Sequence, residues 1–534
     1  MKTALLEDLG QDLAMMARLV QSQLSGATTA FFRRDPSLAG TVIEKDDQVD
    51  NLLTFIEEQC FERIAGEPVG SPRSRRLRGV FRVALNLEKL GDYAVNVAEQ
   101  AVHVARLPSR FPPFDLAGPT RVALAALDEV IDAFTDVSAE KAKHACRCEV
   151  ELDRQYRTAL QETFRRLAAP GPDPAFLITH LFVAKFLERI GDSILNIGET
   201  ALFILTGERL KLHQYLHLEE MVGPVTSDSG GADPVQLRQI WGGISGARVG
   251  RLSLAEGRAL IWKEGAERKI EAEVREMAEW NRLIPGLVPE VKARHQRDGR
   301  ESFLGQFLDG TLLRDVYLTR PREERLRVTR RVLQTLKDVW LATSRDGRPP
   351  VDYVRQIRER LPDLYALHPE LETLRRSETR VFGIAHRSFR QLLEHVGGLE
   401  DRLAPPVSVR IHGDFNTNNV VYDSRHDRVH FIDVHRSGSG DYVQDIGVYM
   451  VSNIRNPLQE PGLTAEMGHL NRLIHDFAEE FARLIGDEHF ETRLTLARAR
   501  SFITSARLST DLEFARSIFL QGVRLLECTA RAAA

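Results

Sequence analysis

A nineteen-residue segment occurs twice in this sequence, one hundred positions apart, and few folds accommodate it. Val83–Ala101 reads VALNLEKLGDYAVNVAEQA and Val183–Ala201 reads VAKFLERIGDSILNIGETA, so Glu88, Gly91, Asp92, Asn96 and Glu99 are matched by Glu188, Gly191, Asp192, Asn196 and Glu199. Val83, Leu87, Leu90, Ala94 and Val97 recur at three- and four-residue spacing, which places them on one face of a helix, while Glu88, Asp92 and Asn96 line another. A unit of this size cannot bury its apolar face alone, so a duplicated helical hairpin or three-helix bundle follows. Upstream of each copy lies a second acidic pair, Asp46 with Asp50 and Glu149 with Asp153. Residues 1 to about 218 read as helix throughout, broken at Gly66–Pro72 and Pro108–Pro113.

The chain has 534 residues, more than one hydrophobic core organises, so two or three domains are expected. Met221–Pro234 (MVGPVTSDSGGADP) is rich in Gly, Ser, Asp and Pro, which predicts a linker over 219–234. Beyond it, from 235 to 534, short strand-like runs mix with helices. A hydrophobic fraction of 43% and a charged fraction of 28% are ordinary for a soluble globular protein, and a net charge of −4 argues against a nucleic-acid binder. Cys60, Cys146, Cys148 and Cys528 have no metal-ligand spacing and suit a reducing compartment, with Cys146 and Cys148 expected as buried or idle thiols. The N-terminus is acidic before any apolar run, and no stretch approaches the ~18 apolar residues of a membrane span, so a cytoplasmic protein is expected.

Like charges at i,i+4 cost an isolated helix a few tenths of a kcal/mol, and clustered carboxylates become favourable when a cation sits between them. A solvated acidic stripe helped by Lys89 and Arg189 remains the competing reading, although four such pairs in repeated register favour a metal. The segments LEKLGDYAVNVAE and LERIGDSILNIGE resemble the signature of the PhoU family, regulators of phosphate uptake, and the resemblance extends over residues 1 to about 215. It implies two three-helix bundles and metal ligands at Glu88, Asp92, Glu188 and Asp192, with Asp46, Asp50, Glu149 and Asp153 as candidates. Iron, manganese or zinc suits such carboxylates, and two repeats imply two sites of similar composition. A phosphate transporter or sensor kinase is the partner this implies, with homodimerisation left open.

The stretch Val407–Gly447 reads VSVRIHGDFNTNNVVYDSRHDRVHFIDVHRSGSGDYVQDIG. A strand delivers His412, Gly413 and Asp414 into a loop ending at Asn419, and the second strand of a short hairpin delivers Asp433. Phosphoryl transfer needs a carboxylate to position the nucleophilic hydroxyl and oxygen ligands for Mg²⁺ on the phosphates, and Asp414, Asn419 and Asp433 supply these atoms. A lone HGD is a turn; H-G-D-x4-N followed by I-D and G-D-x3-D is specific. The combination resembles the aminoglycoside phosphotransferase family, a branch of the protein-kinase-like fold. That resemblance implies ATP as donor, Asp414 as catalytic aspartate, Mg²⁺ on Asn419 and Asp433, and Asp445 as a stabiliser of the catalytic lobe. The family pattern has a hydrophobic residue or His in many members where Asn416 stands, which bears on substrate preference.

Gly242–Gly246, containing Gly243 and Ser245, precedes a strand–turn–strand pattern with Ala255-Glu256-Gly257 at the turn, and such glycines let backbone N–H groups approach phosphates. By the resemblance Lys263 contacts the α- and β-phosphates and Glu273 pairs with it, Glu271 and Glu276 being alternatives. Phe303–Leu312 resembles the inter-lobe hinge, where backbone groups of Gln306 to Leu308 meet adenine. Thr464–Ala534 reads as helix on the acceptor side, with Arg498, Arg500 and Arg507 expected on an ordinary solvated face.

The expected architecture is therefore an all-α part of two three-helix bundles over 1–218 and an α+β two-lobe, protein-kinase-like part over 235–534, its nucleotide lobe about 235–312 and its catalytic and acceptor lobe about 313–534. The expected function is an ATP-dependent small-molecule O-phosphotransferase fused to a regulatory module linked to phosphate or metal. The alternative is a non-enzymatic nucleotide-binding regulator; HGD in place of HRD, and the missing A-P-E segment, set aside a protein kinase.

Overall fold

The computed structural model describes residues 4–68, 70–108, 113–169, 173–226, 236–240, 247–254, 259–297, 299–374, 376–381, 384–455 and 463–532. Its contacts divide into two compact units, Met1–Ile240 with Gly250–Arg258, and Trp241–Val249 with Ala259–Ala534.

The first unit is helical, and the repeat builds its centre. The two copies lie in the helices Pro72–Ala105 and Pro174–Thr206, each about 50 Å long at 1.5 Å per residue. Both begin on a capping side chain followed by Pro at the first turn. The Ser71 hydroxyl accepts the Ser74 N–H and the Asp173 carboxylate accepts the Ala175 N–H. The second stops at Gly207, whose φ of 84° is the left-handed conformation that ends a helix. Ala4–Arg33 and a helix broken at Lys45 (Pro36–Glu44, Asp46–Ile64) pack on the first copy. Ala117–Thr135 and Arg147–Leu167 pack on the second, with Ala139–Ala145 leading in. Two three-helix bundles result, and the apolar stripe read from the sequence is their core: Val83, Leu87, Leu90, Ala94 and Val97 are each fully buried.

Leu212–Thr226 is a further helix, so residues 219–226, expected as linker, begin as helix. The reason is an apolar spacing masked by the neighbouring Gly and Pro: Leu218, Met221 and Val222 are buried.

In the second unit Ala259–Ala266 pairs antiparallel with Arg300–Gln306, which pairs with Val291–Arg297, and the helix Glu267–Leu283 packs on these strands. Two small three-stranded sheets follow in the larger lobe. One is formed by Gly438–Gly440, Val407–Ile411 and Arg345–Asp346, the other by Arg428–Phe431, Val420–Asp423 and Thr311–Leu312. Around them stand Arg322–Thr343, Tyr442–Arg455, Thr464–Ile485, Phe490–Ser505 and Leu512–Ala532. Arg493, wholly buried, is matched by two carboxylates: it donates to Asp441 at 2.9 Å and to Asp487 at 2.8 Å, and Tyr353 and Tyr442 donate to the same two at 2.9 and 2.7 Å. This satisfied network fixes the start of Tyr442–Arg455. The fold class is thus the expected one, all-α followed by α+β.

All four cysteines are free, and Cys60, Cys146 and Cys148 are buried. Burial pushes the thiols of Cys60 and Cys148 up to about 11 and about 12, consistent with packing roles.

Candidate active site and acidic clusters

The strand Val407–Ile411 ends at His412, and its hydrogen bonds explain why this tripeptide has its composition. Asp445 accepts the N–H of His412 at 2.7 Å and of Gly413 at 2.9 Å, from one turn into the helix Tyr442–Arg455. Burial pushes the Asp445 carboxyl up to about 7 despite these two donors. Gly413 has φ of +80°, and a Cβ there would lie 2.2 Å from the Arg436 carbonyl oxygen, so no other residue fits. His412 donates from Nε2 to the Ile432 carbonyl at 2.9 Å, leaving Nδ1 to accept the Asp414 N–H at 3.3 Å; burial lowers its pKa and keeps the ring neutral.

The loop that follows is tied to itself. Asn419 Nδ2 donates to the Asp414 carbonyl at 2.9 Å, and the Asn419 N–H donates to the Asn416 carbonyl at 3.0 Å. Asn416 Nδ2 donates to Asp414 Oδ1 at 3.3 Å, so the residue that departs from the expected pattern touches the Asp414 carboxylate directly. Arg436 Nη1 lies 3.0 Å from Asp414 Oδ2.

Asp433 is one of four non-glycine residues with positive φ among those described, at 60°. A left-handed aspartate is tolerated at modest cost and re-aims the side chain at the end of a strand. Its Oδ1 meets Lys263 Nζ at 2.8 Å and His435 Nδ1 at 3.1 Å, and Lys263 Nζ also lies 2.6 Å from Glu273 Oε2. Burial opposes the charge on all three groups. The two carboxylates nonetheless raise the pKa of Lys263, while His435 and Lys263 hold Asp433 far below the usual carboxylate range; burial raises Glu273. Ligand atoms of Glu273, Asp433 and His435 lie within 4.8 Å of one another. Of the alternatives to Glu273, Glu276 is ion-paired with Arg410 and does not meet Lys263.

At the hinge, the N–H of Gln306 donates to the Glu290 carbonyl at 2.8 Å, so it is not free for a base; Leu308 is half-buried beyond the strand end. Gly243 and Ser245, with the turn at Ala255-Glu256-Gly257, lie outside the described residues. The arginines differ from expectation. Arg498, Arg500 and Arg507 are half-buried, not on a solvated face, because the helix Phe490–Ser505 and the short turn Ala506–Leu508 after it are enclosed by their neighbours. Arg436 and His435 escaped the sequence reading; their only signal was their position just after Asp433.

In the first unit the acidic residues gather as two clusters. Asp46, Asp50, Glu88 and Asp92 face one another across the first bundle; burial raises Asp46, Glu88 and Asp92, and their mutual repulsion adds to it. Gln23 Nε2 donates to Asp46 at 3.1 Å, while Gln23 Oε1 is buried without a partner. Among the described residues none of these four carboxylates has an ion pair. Gly91 permits the approach, since a Cβ there would lie 3.3 Å from Asp46 Oδ1.

The second cluster joins Glu149, Asp153, Glu188 and Asp192, but differs in its counter-ions. Lys185 lies 2.7 Å from Glu188, Arg157 2.6 Å from Asp153 and Arg189 3.3 Å from Asp192. Lys185 stands where the first copy has Leu85, and Arg157 where it has Thr54. The expectation of two sites of similar composition therefore meets two chemically different clusters. Glu199 serves another purpose, accepting the Leu212 N–H at 3.1 Å and pairing with Lys211.

Comparison with known proteins follows the same division. Residues 13–101 and 120–201 match the PhoU domain, and residues 237–481 match the phosphotransferase enzyme family. The phosphate-specific transport system accessory protein PhoU homolog of Caulobacter vibrioides is 30% identical over 207 residues, 38% of this chain and 90% of that protein. The homolog of Clostridium acetobutylicum is 25% identical over 209 residues, 39% of this chain and 95% of that protein. Among solved structures, aminoglycoside phosphotransferase APH(4)-Ia aligns with 16% identity over 60% of this chain and 99% of that one, at a TM-score of 0.39. Through its N-terminal part the chain belongs to the PhoU family, and it joins to this a domain of the phosphotransferase enzyme family.

Proposed function

We propose that the second unit transfers the γ-phosphoryl group of ATP to a hydroxyl of a small molecule, and that the PhoU unit links this activity to phosphate or metal. The observation that carries this reading is the half-buried Lys263, held at once by Glu273 and Asp433, beside a loop that presents Asp414. A lysine kept charged between two carboxylates is positioned for the α- and β-phosphates, and Leu308 offers backbone groups to adenine. Asp433, kept ionised, and the Oδ1 of Asn419 fit Mg²⁺, which when bound neutralises charge on the phosphates. Asp414 orients the acceptor hydroxyl and takes its proton as the acceptor oxygen bonds to Pγ; the Pγ–O bond to the β-phosphate breaks and ADP leaves. Arg436 and Asn416 hold the Asp414 carboxylate in place.

In the PhoU unit the first cluster fits iron, manganese or zinc: among the described residues its carboxylates make no ion pair, and the orphaned Gln23 Oε1 sits beside them. In the second cluster three of the four carboxylates, all but Glu149, are ion-paired on their own helices, which makes it the poorer fit. Docking on a phosphate transport system accords with the relatives' role as accessory proteins.

The test is ADP release by the purified full chain with ATP, Mg²⁺ and a panel of sugars, amino alcohols, hydroxy acids and phosphate esters. Asp414→Asn is expected to lower turnover by at least about 100-fold while leaving ATP binding intact, because the amide keeps the shape but cannot take the proton. Turnover within a few-fold of wild type would remove Asp414 from the mechanism. ATP binding with no ADP release from any acceptor would favour the nucleotide-sensing regulator.

A further inference from the structure

The acceptor side of Asp414 is basic. Arg436 contacts the carboxylate at 3.0 Å. Arg455 ends the helix whose Asp445 holds His412 and Gly413, and Arg500 lies on Phe490–Ser505, the helix packed against it through Gly447 and Ala497. Both guanidinium groups are half-buried, each has its Nε buried without a hydrogen-bond partner, and neither has an ion pair among the described residues. Arg507 stands nearby, 4.0 Å from the exposed Asp363. Asp414 acts on Arg455, Arg500 and Arg507 alike, and burial lowers the pKa of all three; Arg360 and Arg436 add repulsion at Arg500 and Arg507.

Withdrawing a guanidinium from water without an ion-pair partner is unfavourable, and here two that both feel Asp414 are withdrawn. Arg455 and Arg500 take no part in the buried carboxylate network that satisfies Arg493, which shares the helix of Arg500. The phosphates of the nucleotide have their own partners on the Lys263 and Asp433 side, which leaves these arginines to the acceptor.

We propose that the acceptor alcohol bears an anionic oxygen group, a phosphate ester or a carboxylate, and that Arg455 and Arg500 bind that group while its hydroxyl meets Asp414. This rests on the phosphotransferase reading above. The forks of two arginines match the oxygens of either anion, whereas a cationic amino alcohol would be repelled. The transfer step is unchanged: the acceptor oxygen bonds to Pγ, ADP leaves, and the hydroxyl proton passes to Asp414.

The experiment is calorimetric titration of the full chain loaded with Mg²⁺ and a non-hydrolysable ATP analogue, which fills the γ-phosphate position. The probes are inorganic phosphate, acetate and ethanolamine. Wild type should bind phosphate or acetate, the tighter of the two marking the source of the anion, and should not bind ethanolamine. Arg455→Gln and Arg500→Gln should each weaken the anion by about tenfold, and Arg500→Lys should recover part of the loss. Binding of phosphate and acetate that is absent, or unchanged in both glutamine variants, overturns the proposal, as does tighter binding of ethanolamine. Binding of phosphate on the PhoU unit is separable, since it would persist in both variants. Failure of the nucleotide analogue to bind would instead overturn the phosphotransferase reading itself.

Discussion

Replacing Lys263 by Met isolates the electrostatic core of the proposed nucleotide site. Lys263 is the cation between Glu273, whose side chain is 4% exposed, and Asp433. Methionine keeps the stem and removes the charge, so Glu273 faces an apolar surround beside another carboxylate. The carboxyl then either stays ionised without a partner, costing about 3–5 kcal/mol, or takes a proton. Holding neutral at pH 7 a group whose ordinary pKa is 4.5 costs about 3.4 kcal/mol, at about 1.4 kcal/mol per pH unit. The cheaper route sets the expected loss, about 3 kcal/mol at pH 7. The sign with pH follows from the same step. A carboxyl raised in the folded state binds its proton more tightly there than in the unfolded chain, so stability is retained at low pH and lost as pH rises. The deficit of Lys263→Met should shrink to below about 1 kcal/mol at pH 5, and Lys263→Met with Glu273→Gln should recover most of it at pH 7. Urea unfolding at pH 5, 6 and 7, following the transition that nucleotide shifts, measures it. A loss at pH 7 below about 1 kcal/mol, or one independent of pH, would refute the picture of a desolvated Glu273.

Asp433→Asn should raise the Mg²⁺ concentration needed for activity, or for nucleotide affinity, by about tenfold or more, since a metal ligand loses its charge; an unchanged Mg²⁺ titration counts against the assignment. In the PhoU unit, Asp92→Ala should remove most of the iron, manganese or zinc that elemental analysis finds in the purified full chain, whereas Asp192→Ala should leave it nearly unchanged. Equal losses in the two variants would show that Lys185, Arg157 and Arg189 do not decide occupancy.

Local patterns in the chain were enough to assign the two parts, their fold classes and the positions of the proposed chemistry. The repeat, with apolar residues from Val83 to Val97 at helical spacing, dictates long paired helices because nothing else buries that stripe. H-G-D-x4-N and I-D are local in sequence, so the loop ending at Asn419 and the strand leading to Asp433 were legible there. What joins distant segments was not. Whether Glu271, Glu273 or Glu276 meets Lys263 depends on how the helix Glu267–Leu283 is rotated against its sheet, which packing decides. The N–H of Gln306 is taken by Glu290, a partner set by strand register. The counter-ions of the second acidic cluster were local too: Lys185 pairs with Glu188 three residues on and Arg157 with Asp153 four residues back, whereas the meeting of carboxylates from two helices in each cluster is set by packing. Arg500, polar by composition and surface-like by periodicity, is half-buried because the helices around it close on the site. A charge pattern along one helix fixes which residues share a face; which faces meet, and which charges are left without partners, is a property of the packed fold alone.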